Sequence, residues 1–302
     1  MAVFGGKTSI YNGGGNDASV LNAYYLYPNT VGNVRFVYSG ATGNGTGISP
    51  RDAYTGLQAW HDAATADNGD IAMVLPLHAE AVTGAGTLAF TKSGLTIQGV
   101  GNGRNRPAIS WTTGTDAQWT VTGANLQIRN LFLDWSGFNS IVACMSVTAA
   151  DFWMQNCEIN ISASNKQPLI GILTAATAAR FKFTDNVALG LATTTGATFT
   201  GVVQHEVGVD FDISRNYVRC KGTQAFLNAT TILGGRMNDN VIHMYTGTKG
   251  IALASGTTGC GFNNRFVVPS GTAPVVGAGF SWANNGYTTE GLTIGTPTAG
   301  AF

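Results

Sequence analysis

The sequence predicts an all-β solenoid, a coil of short parallel strands, and three observations predict it. One phrase recurs: Phe181-Lys-Phe-Thr-Asp-Asn186, Phe211-Asp-Ile-Ser-Arg-Asn216 and Gly235-Arg-Met-Asn-Asp-Asn240. Shorter versions stand at Leu126-Gln-Ile-Arg-Asn130, Phe152-Trp-Met-Gln-Asn156 and Cys260-Gly-Phe-Asn-Asn264, while Leu95-Thr-Ile-Gln-Gly99 has Gly in the final place. The copies are spaced at a solenoid period, with steps of 26, 30, 30, 24 and 24 residues from Asn130 through Asn156, Asn186, Asn216 and Asn240 to Asn264. Stacking the copies in register then sets Arg180 over Asp210, Lys182 over Asp212, Asp185 over Arg215, Asp212 over Arg236 and Arg215 over Asp239. Every pair has opposite sign, which stabilises neighbouring strands where like charges would destabilise them.

Within each copy an apolar, polar, apolar triplet is a short strand that presses two side chains inward. The Asn behind it is a residue that tolerates the left-handed backbone of a sharp bend. Asn130, Asn156, Asn186, Asn216, Asn240 and Asn264 are therefore expected to form a ladder of bend residues. A solenoid grows by adding coils and needs no second core, so the 302 residues read as one elongated domain over 34–268, with an arm at 1–33 and a tail at 269–302.

The arm holds Asn12-Gly-Gly-Gly-Asn-Asp17 and then Tyr24, Tyr25 and Tyr27. Three tyrosines within four residues supply rigid contact area at low entropic cost, which suits docking on a partner. Val34-Arg-Phe-Val-Tyr38 alternates as a strand and leads into a glycine-rich loop, Ser39 to Gly47. The loop lacks a following Lys-Ser or Lys-Thr pair and a helix positioned to offer amides to a phosphate, so it is not a nucleotide cradle. A helix is expected over 50–67: Ser49 suits the N-cap, Pro50 the first position and Asp52 the positive end. Ala53, Leu57, Trp60 and Ala64 fall on one face and Asn68-Gly69 stops it. Such a helix would cover the open end of the first coil.

The run Ser39-Gly-Ala-Thr-Gly-Asn-Gly-Thr-Gly47 with Ser49-Pro50, then Gly69-Asp-Ile-Ala-Met-Val-Leu-Pro76 and His78-Ala-Glu80, resembles the opening of proteins in the pectate-lyase-like superfamily. Gly99-Val-Gly101-Asn-Gly-Arg-Asn-Arg-Pro107 is similar to a phrase in members encoded among phage virion proteins. The resemblance covers roughly residues 34 to 268 and implies a right-handed single-stranded parallel β-helix (solenoid) with an N-terminal capping α-helix. The superfamily includes lyases, hydrolases, tailspikes and non-catalytic virion proteins, so it implies no one activity. Beyond Asn264 the pattern loosens into Pro, Gly, Thr and small apolar residues with Phe280, Trp282, Tyr287 and Phe302.

Composition narrows the partners. Lys plus Arg equals Asp plus Glu at 16 each, which removes the basic footprint that nucleic acid or an anionic membrane demands. Charged residues are 11% against a typical ~25%, which suits a surface covered by neighbouring subunits. No run of about 18 apolar residues spans a bilayer, and residues 1 to 10 lack a secretory signal, so synthesis in a cytoplasm is expected. Cys144, Cys157, Cys220 and Cys260 have no close pairing and read as small buried apolar residues. No cofactor or metal is expected.

Two carboxylates facing one sugar define a glycosidase, and only Asp210 and Asp212 have the spacing, two apart on a strand and so on one face. Their flanking cations Arg180, Lys182 and Arg236 would keep both ionised, so a structural ladder is the expected role. Asn238, Asp239 and Asn240 alternate faces and do not converge on calcium. His205 and Glu206 point to opposite faces, His61 and Asp62 are expected in solvent, and His78 with Glu80 is expected as a hydrogen-bonded cap on the first coil. Trp111, Trp119, Trp135 and Trp153 offer sugar stacking or subunit packing.

Together these features predict a structural, non-enzymatic virion protein. Its expected form is a homotrimeric capsid decoration, or cement, protein on the outside of a phage head, bound to the major capsid protein. The alternative is a tailspike-like protein that binds or cleaves a surface glycan, with Asp210 and Asp212 as its acids.

Overall fold

The computed structural model describes residues 32–163, 166–190, 199–206, 209–228, 231–246, 249–269, 273–276, 280–289 and 293–295. They wind as a parallel β-solenoid whose strands line up into three long sheets. Each passage visits the three in turn: Phe181–Thr184 lies in sheet 1, Val187–Gly190 in sheet 2 and Gly201–His205 in sheet 3, before Val209–Ser214 returns to sheet 1. Sheet 1 runs through ten strands from Val34–Val37 to Phe280–Ala283, and sheet 3 through eight from Ala85–Phe90 to Ala273–Val276. Sheet 2 begins at Ala79–Val82, and its last parallel strand, Gly286–Thr289, is covered by an antiparallel one, Thr293–Gly295.

Alternation and register together make the core. Ile97, Ile128, Met154, Phe183, Ile213 and Met237 stack in one inward row of sheet 1, and all are buried. Ile109, Leu133, Ile159, Ala188, Val218, Ile242 and Phe266 form the matching row of sheet 2. Each large side chain so buried contributes about 1.5–3 kcal/mol, and its neighbours are the same positions one coil away. Trp111, Trp119 and Trp135 are fully enclosed here too, which removes them as sugar platforms. Trp111 donates its indole N–H to the Cys144 carbonyl at 2.8 Å and meets Trp135 edge-on.

The helix is shorter than the sequence pattern suggests, Leu57–Ala63 instead of 50–67. Ser49 does accept the Asp52 amide, at 3.2 Å. However, Gly43 and Gly47 donate to the carbonyls of Arg51 and Asp52, and Tyr54 exchanges backbone bonds with Phe36 and Tyr38. Arg51 and Asp52 are thereby tied to the loop and Tyr54 to the first strand of sheet 1, which keeps this stretch out of the helix. The loop also covers the outer face of sheet 1 at its start, enclosing Phe36, Ile71 and Met73 in a small second cluster. Leu57 and Trp60 are buried, and the helix sits against the first strand of sheet 3: Gln58 accepts from the Ala89 amide at 2.7 Å, and His61 Nε2 accepts from Thr91 and Lys92 at 3.0 and 3.2 Å. His61 is thus buried, not in solvent, because the edge of that strand claims its ring; Asp62 alone is exposed.

From Gln127–Arg129 to Leu233–Asn238 the strands of sheet 1 carry a left-handed residue near both ends. Behind the strands the series is Asn130, Asn156, Asp185, Arg215, Asp239, Asn263 and Asn284, with φ between 53° and 59°. Ahead of them Asn125, Asp151, Arg180, Asp210 and Gly234 have φ from 55° to 84°. This corrects the bend reading for Asn186, Asn216, Asn240 and Asn264, where the left-handed residue is the one before. Trp153 pairs with Lys182, so Asn156 lies over Asp185 and the step is one residue shorter than the Asn spacing implies.

Candidate functional site

The longest polar feature is a column of buried asparagines at the bend between sheets 1 and 2. Asn186, Asn216, Asn240 and Asn264 are each 0–2% exposed. The side-chain oxygens of Asn216, Asn240 and Asn264 accept from the backbone N–H of the Asn one coil earlier, as in Asn216 N–H to Asn240 Oδ1 at 3.0 Å and Asn240 N–H to Asn264 Oδ1 at 3.0 Å. Each side-chain amide donates onward to the next Oδ1 and back to a strand carbonyl, Asn240 Nδ2 reaching Asn264 Oδ1 at 2.9 Å and Ile213 O at 2.7 Å. The column starts at Cys157, whose N–H donates to Asn186 Oδ1, and continues past the predicted set to Asn285. The signal for Asn285 was present, because Phe280-Ser-Trp-Ala-Asn-Asn285 repeats the phrase. Asn130 and Asn156 stand outside the column. Asn130 instead ties two coils together by donating to the carbonyls of Gly99 and Gly101 at 2.9 and 2.8 Å.

Asp210 and Asp212 do not form the pair that their spacing suggests. Asp210 has φ 59°, so alternation is broken at the bend and the two carboxylates are not successive outward positions of one regular strand. Asp212 accepts from Ser214 and from the Arg236 guanidinium. The register is as expected, with Lys182 beside Asp212 and Asp212 beside Arg236. Most of the ion pairs follow that register, Asp212 joining Arg236 among them. Only Arg180 departs, forming a two-point bond with Asp151 at 2.6 and 2.5 Å instead of joining Asp210; Arg215 bonds Asp185 as the register predicts, at 2.7 and 2.9 Å. Arginine's planar fork favours whichever carboxylate meets it edge-on. These hydrogen bonds hold the carboxyls of Asp151 and Asp185 below the usual range.

His78 and Glu80 do form a bonded unit at the first coil. His78 Nδ1 accepts the Ser39 amide at 2.9 Å, which leaves the proton on Nε2 to face Glu80 at 3.2 Å. Both Glu80 oxygens accept from Leu57 N–H at the start of the helix, at 3.2 and 2.9 Å.

His205 is inside the coil and Glu206 reaches the surface, as opposite faces require. The His205 ring lies between Phe181 and Phe211 and shares a 2.5 Å hydrogen bond with Thr174. Burial pushes its pKa down to about 4 from 6.5. The unfolded chain therefore takes up this proton first, so stability is lost as pH falls from 6.5 toward 4 and is regained as pH rises. The loss by pH 4 is expected to be on the order of 3 kcal/mol. His61 shifts the same way, chiefly by burial, whereas the lowered carboxyls of Asp151 and Asp185 act only below their ordinary value of 3.8. Melting temperatures of the wild type and His205→Phe between pH 7 and 4 check this. The variant is expected to lose most of the slope, and an unchanged slope overturns the assignment.

Among the cysteines Cys144, Cys157 and Cys220 are buried, with burial raising Cys157 and Cys220 to about 12, but Cys260 is exposed. It lies on the outer side of sheet 1 in register with Arg236 and Ser281, so strand alternation carries it outward. Trp153 is also on that side, half-buried, with the Arg129 guanidinium 4.6 Å and the Lys182 ammonium 5.5 Å from its ring centre. Among the described residues no group of three or more His, Cys, Asp and Glu is placed to hold a metal, and no helix is long and apolar enough to cross a membrane. Tyr24, Tyr25 and Tyr27 lie outside the described residues. The chain matches no family model, no curated protein and no solved structure.

Proposed function

We propose that this chain is a structural component of a phage particle, a homotrimeric decoration protein that binds the major capsid protein on the outside of the head and stabilises the shell. One observation carries the non-catalytic part of the reading. The polar groups that would otherwise serve chemistry are bonded into the coil: the asparagine column joins successive bends, Asp212 joins Arg236, and Glu80 holds the helix. A rod built this way is a strut. The virion placement rests on the resemblance of residues 34 to 268, together with a surface poor in charge, 11% of residues, which suits coverage by neighbours. The coil is taken as right-handed, the hand that parallel crossovers adopt, with the helix Leu57–Ala63 closing its first end through Gln58 and His61.

As a mechanism, the chain binds the assembled lattice and not free coat protein. At a free concentration 100 times Kd this stabilises each occupied site by about 2.7 kcal/mol. The arm of residues 1 to 33, through Tyr24, Tyr25 and Tyr27, is assigned to the shell contact. Cryo-EM of the particles tests the reading: trimeric density at three-fold or quasi-three-fold positions supports it, and density at the tail tip overturns it.

The second reading is a tailspike-like glycan binder; Trp153 faces outward, but the Arg129 guanidinium and the Lys182 ammonium lie over its ring where a sugar would stack. The double variant Asp210→Asn and Asp212→Asn separates the two. Unchanged particle binding, with no polysaccharide cleavage by either protein, is the expected result; cleavage by the wild type that the variant loses establishes the enzyme.

A further inference from the structure

The outer face of sheet 2 changes character along the coil. Its earlier strands carry Asp134, bonded to Ser136 and Asn160, and Glu158, paired with Arg106 at 3.3 Å. From Val187–Gly190 through Tyr217–Lys221 and Val241–Thr246 to Arg265–Val268, the outward positions of the described residues include no carboxylate. They present Tyr217, Arg219, Lys221, His243, Tyr245 and Arg265, with aliphatic side chains between them. Arg219 lies beside His243, Tyr217 and Arg265 flank Val241, and the His243 and Tyr245 rings are 4.6 Å apart. Tyr217 and Arg265 are exposed. Asp239, at the bend two residues before Val241, accepts from Asn263.

In a chain with equal numbers of acidic and basic residues, such a strip is a local excess of positive charge. Neighbouring strands are about 4.8 Å apart, so Arg219 and Lys221 lie about 10 Å from Arg265 along the coil, offset by two and four residues along the strands. We propose that this strip is a second surface, beside the arm, that grips the coat protein, and that the coat protein meets it with carboxylates set among apolar side chains. The inference rests on the decoration reading above. The composition favours a protein partner over a polyanion: Tyr and Arg interleaved with aliphatic residues are what protein interfaces concentrate, whereas a polyanion selects denser positive charge.

The test is co-sedimentation of the full chain with phage heads stripped of it, over a salt series. The double charge reversal Arg219→Glu and Arg265→Glu is expected to weaken binding at least tenfold and to remove its salt dependence. The neutral pair Arg219→Gln and Arg265→Gln, with melting followed by circular dichroism, keeps the result independent of folding and is expected to lie between. Reversal variants that bind heads as the wild type does overturn the strip and leave the decoration reading standing. A wild type that binds no heads overturns both. Retention of the wild type on dextran sulfate that the reversal abolishes, with head binding unchanged, overturns the protein partner in favour of a polyanion.

Discussion

Replacing Asn240 by alanine is expected to destabilise the coil by about 4 kcal/mol, a large part of the 5–15 kcal/mol that ordinarily separates folded from unfolded chains. Asn240 is 0% exposed and belongs to four hydrogen bonds, accepting from the backbone and side chain of Asn216 and donating to Ile213 O and Asn264 Oδ1. Truncation leaves those partners buried, where water cannot replace the lost amide. Each unsatisfied group costs about 1–3 kcal/mol, and partial relaxation recovers some of the total. Asn240→Asp keeps the acceptor but loses both donors and adds a buried charge, so it is expected to be no better. Hydrogen exchange is the informative measurement. Coils couple mainly to their neighbours, so amides from about Phe183 to Asn264 should exchange faster in Asn240→Ala while those of Ile71–Val74 keep their wild-type protection. Uniform acceleration along the whole coil would show that the column acts globally.

The sequence revealed the coil because two periodicities coincide in it, alternation within strands and recurrence between them. The charge register was legible for the same reason: Lys182, Asp212 and Arg236 do stand side by side. Arg215 and Arg236 take acids that the register offers, Asp185 and Asp212, but the choice of Arg180 was not legible, because it has acids on both neighbouring coils and side-chain geometry decides for Asp151. The asparagines were seen but misassigned. Tolerance of left-handed backbone explains Asn130 and Asn156, while Asn186 and its successors are kept by hydrogen bonds between residues 24 to 30 positions apart, which no local rule reports. The helix pattern over 50–67 failed for a similar reason, since Arg51 and Asp52 are bonded to the glycine-rich loop and Tyr54 to the first strand, which outweighs a good N-cap. Asp210 and Asp212 looked like a pair only if regular alternation held through Asp210, whose left-handed backbone breaks it. The sheet 2 strip needed the three-dimensional stacking, because its residues come from separate coils whose individual strands look unremarkable.

Gly99→Ala is expected to be as severe as loss of an asparagine, although it adds only a methyl group. A Cβ at Gly99 would stand 2.1 Å from the Asn130 carbonyl oxygen and 3.0 Å from Leu131 Cδ2. The obstacle is backbone on the next coil, so no rotamer change relieves it; the two coils must part at the point where Asn130 Nδ2 holds the Gly99 carbonyl. Overpacking of this kind costs about 1–3 kcal/mol where side chains can yield, and more is expected where only backbone can move. Gly84→Ala provides the contrast, because a Cβ there meets nothing within 4 Å. Removing its unfolded-state freedom is expected to stabilise the chain by about 0.4–1 kcal/mol. Urea midpoints of the two variants therefore should move in opposite directions from the wild type. If Gly99→Ala melts with the wild type, the first coils are not in the tight contact described, and a strut that transmits load along its length loses its physical basis at that end.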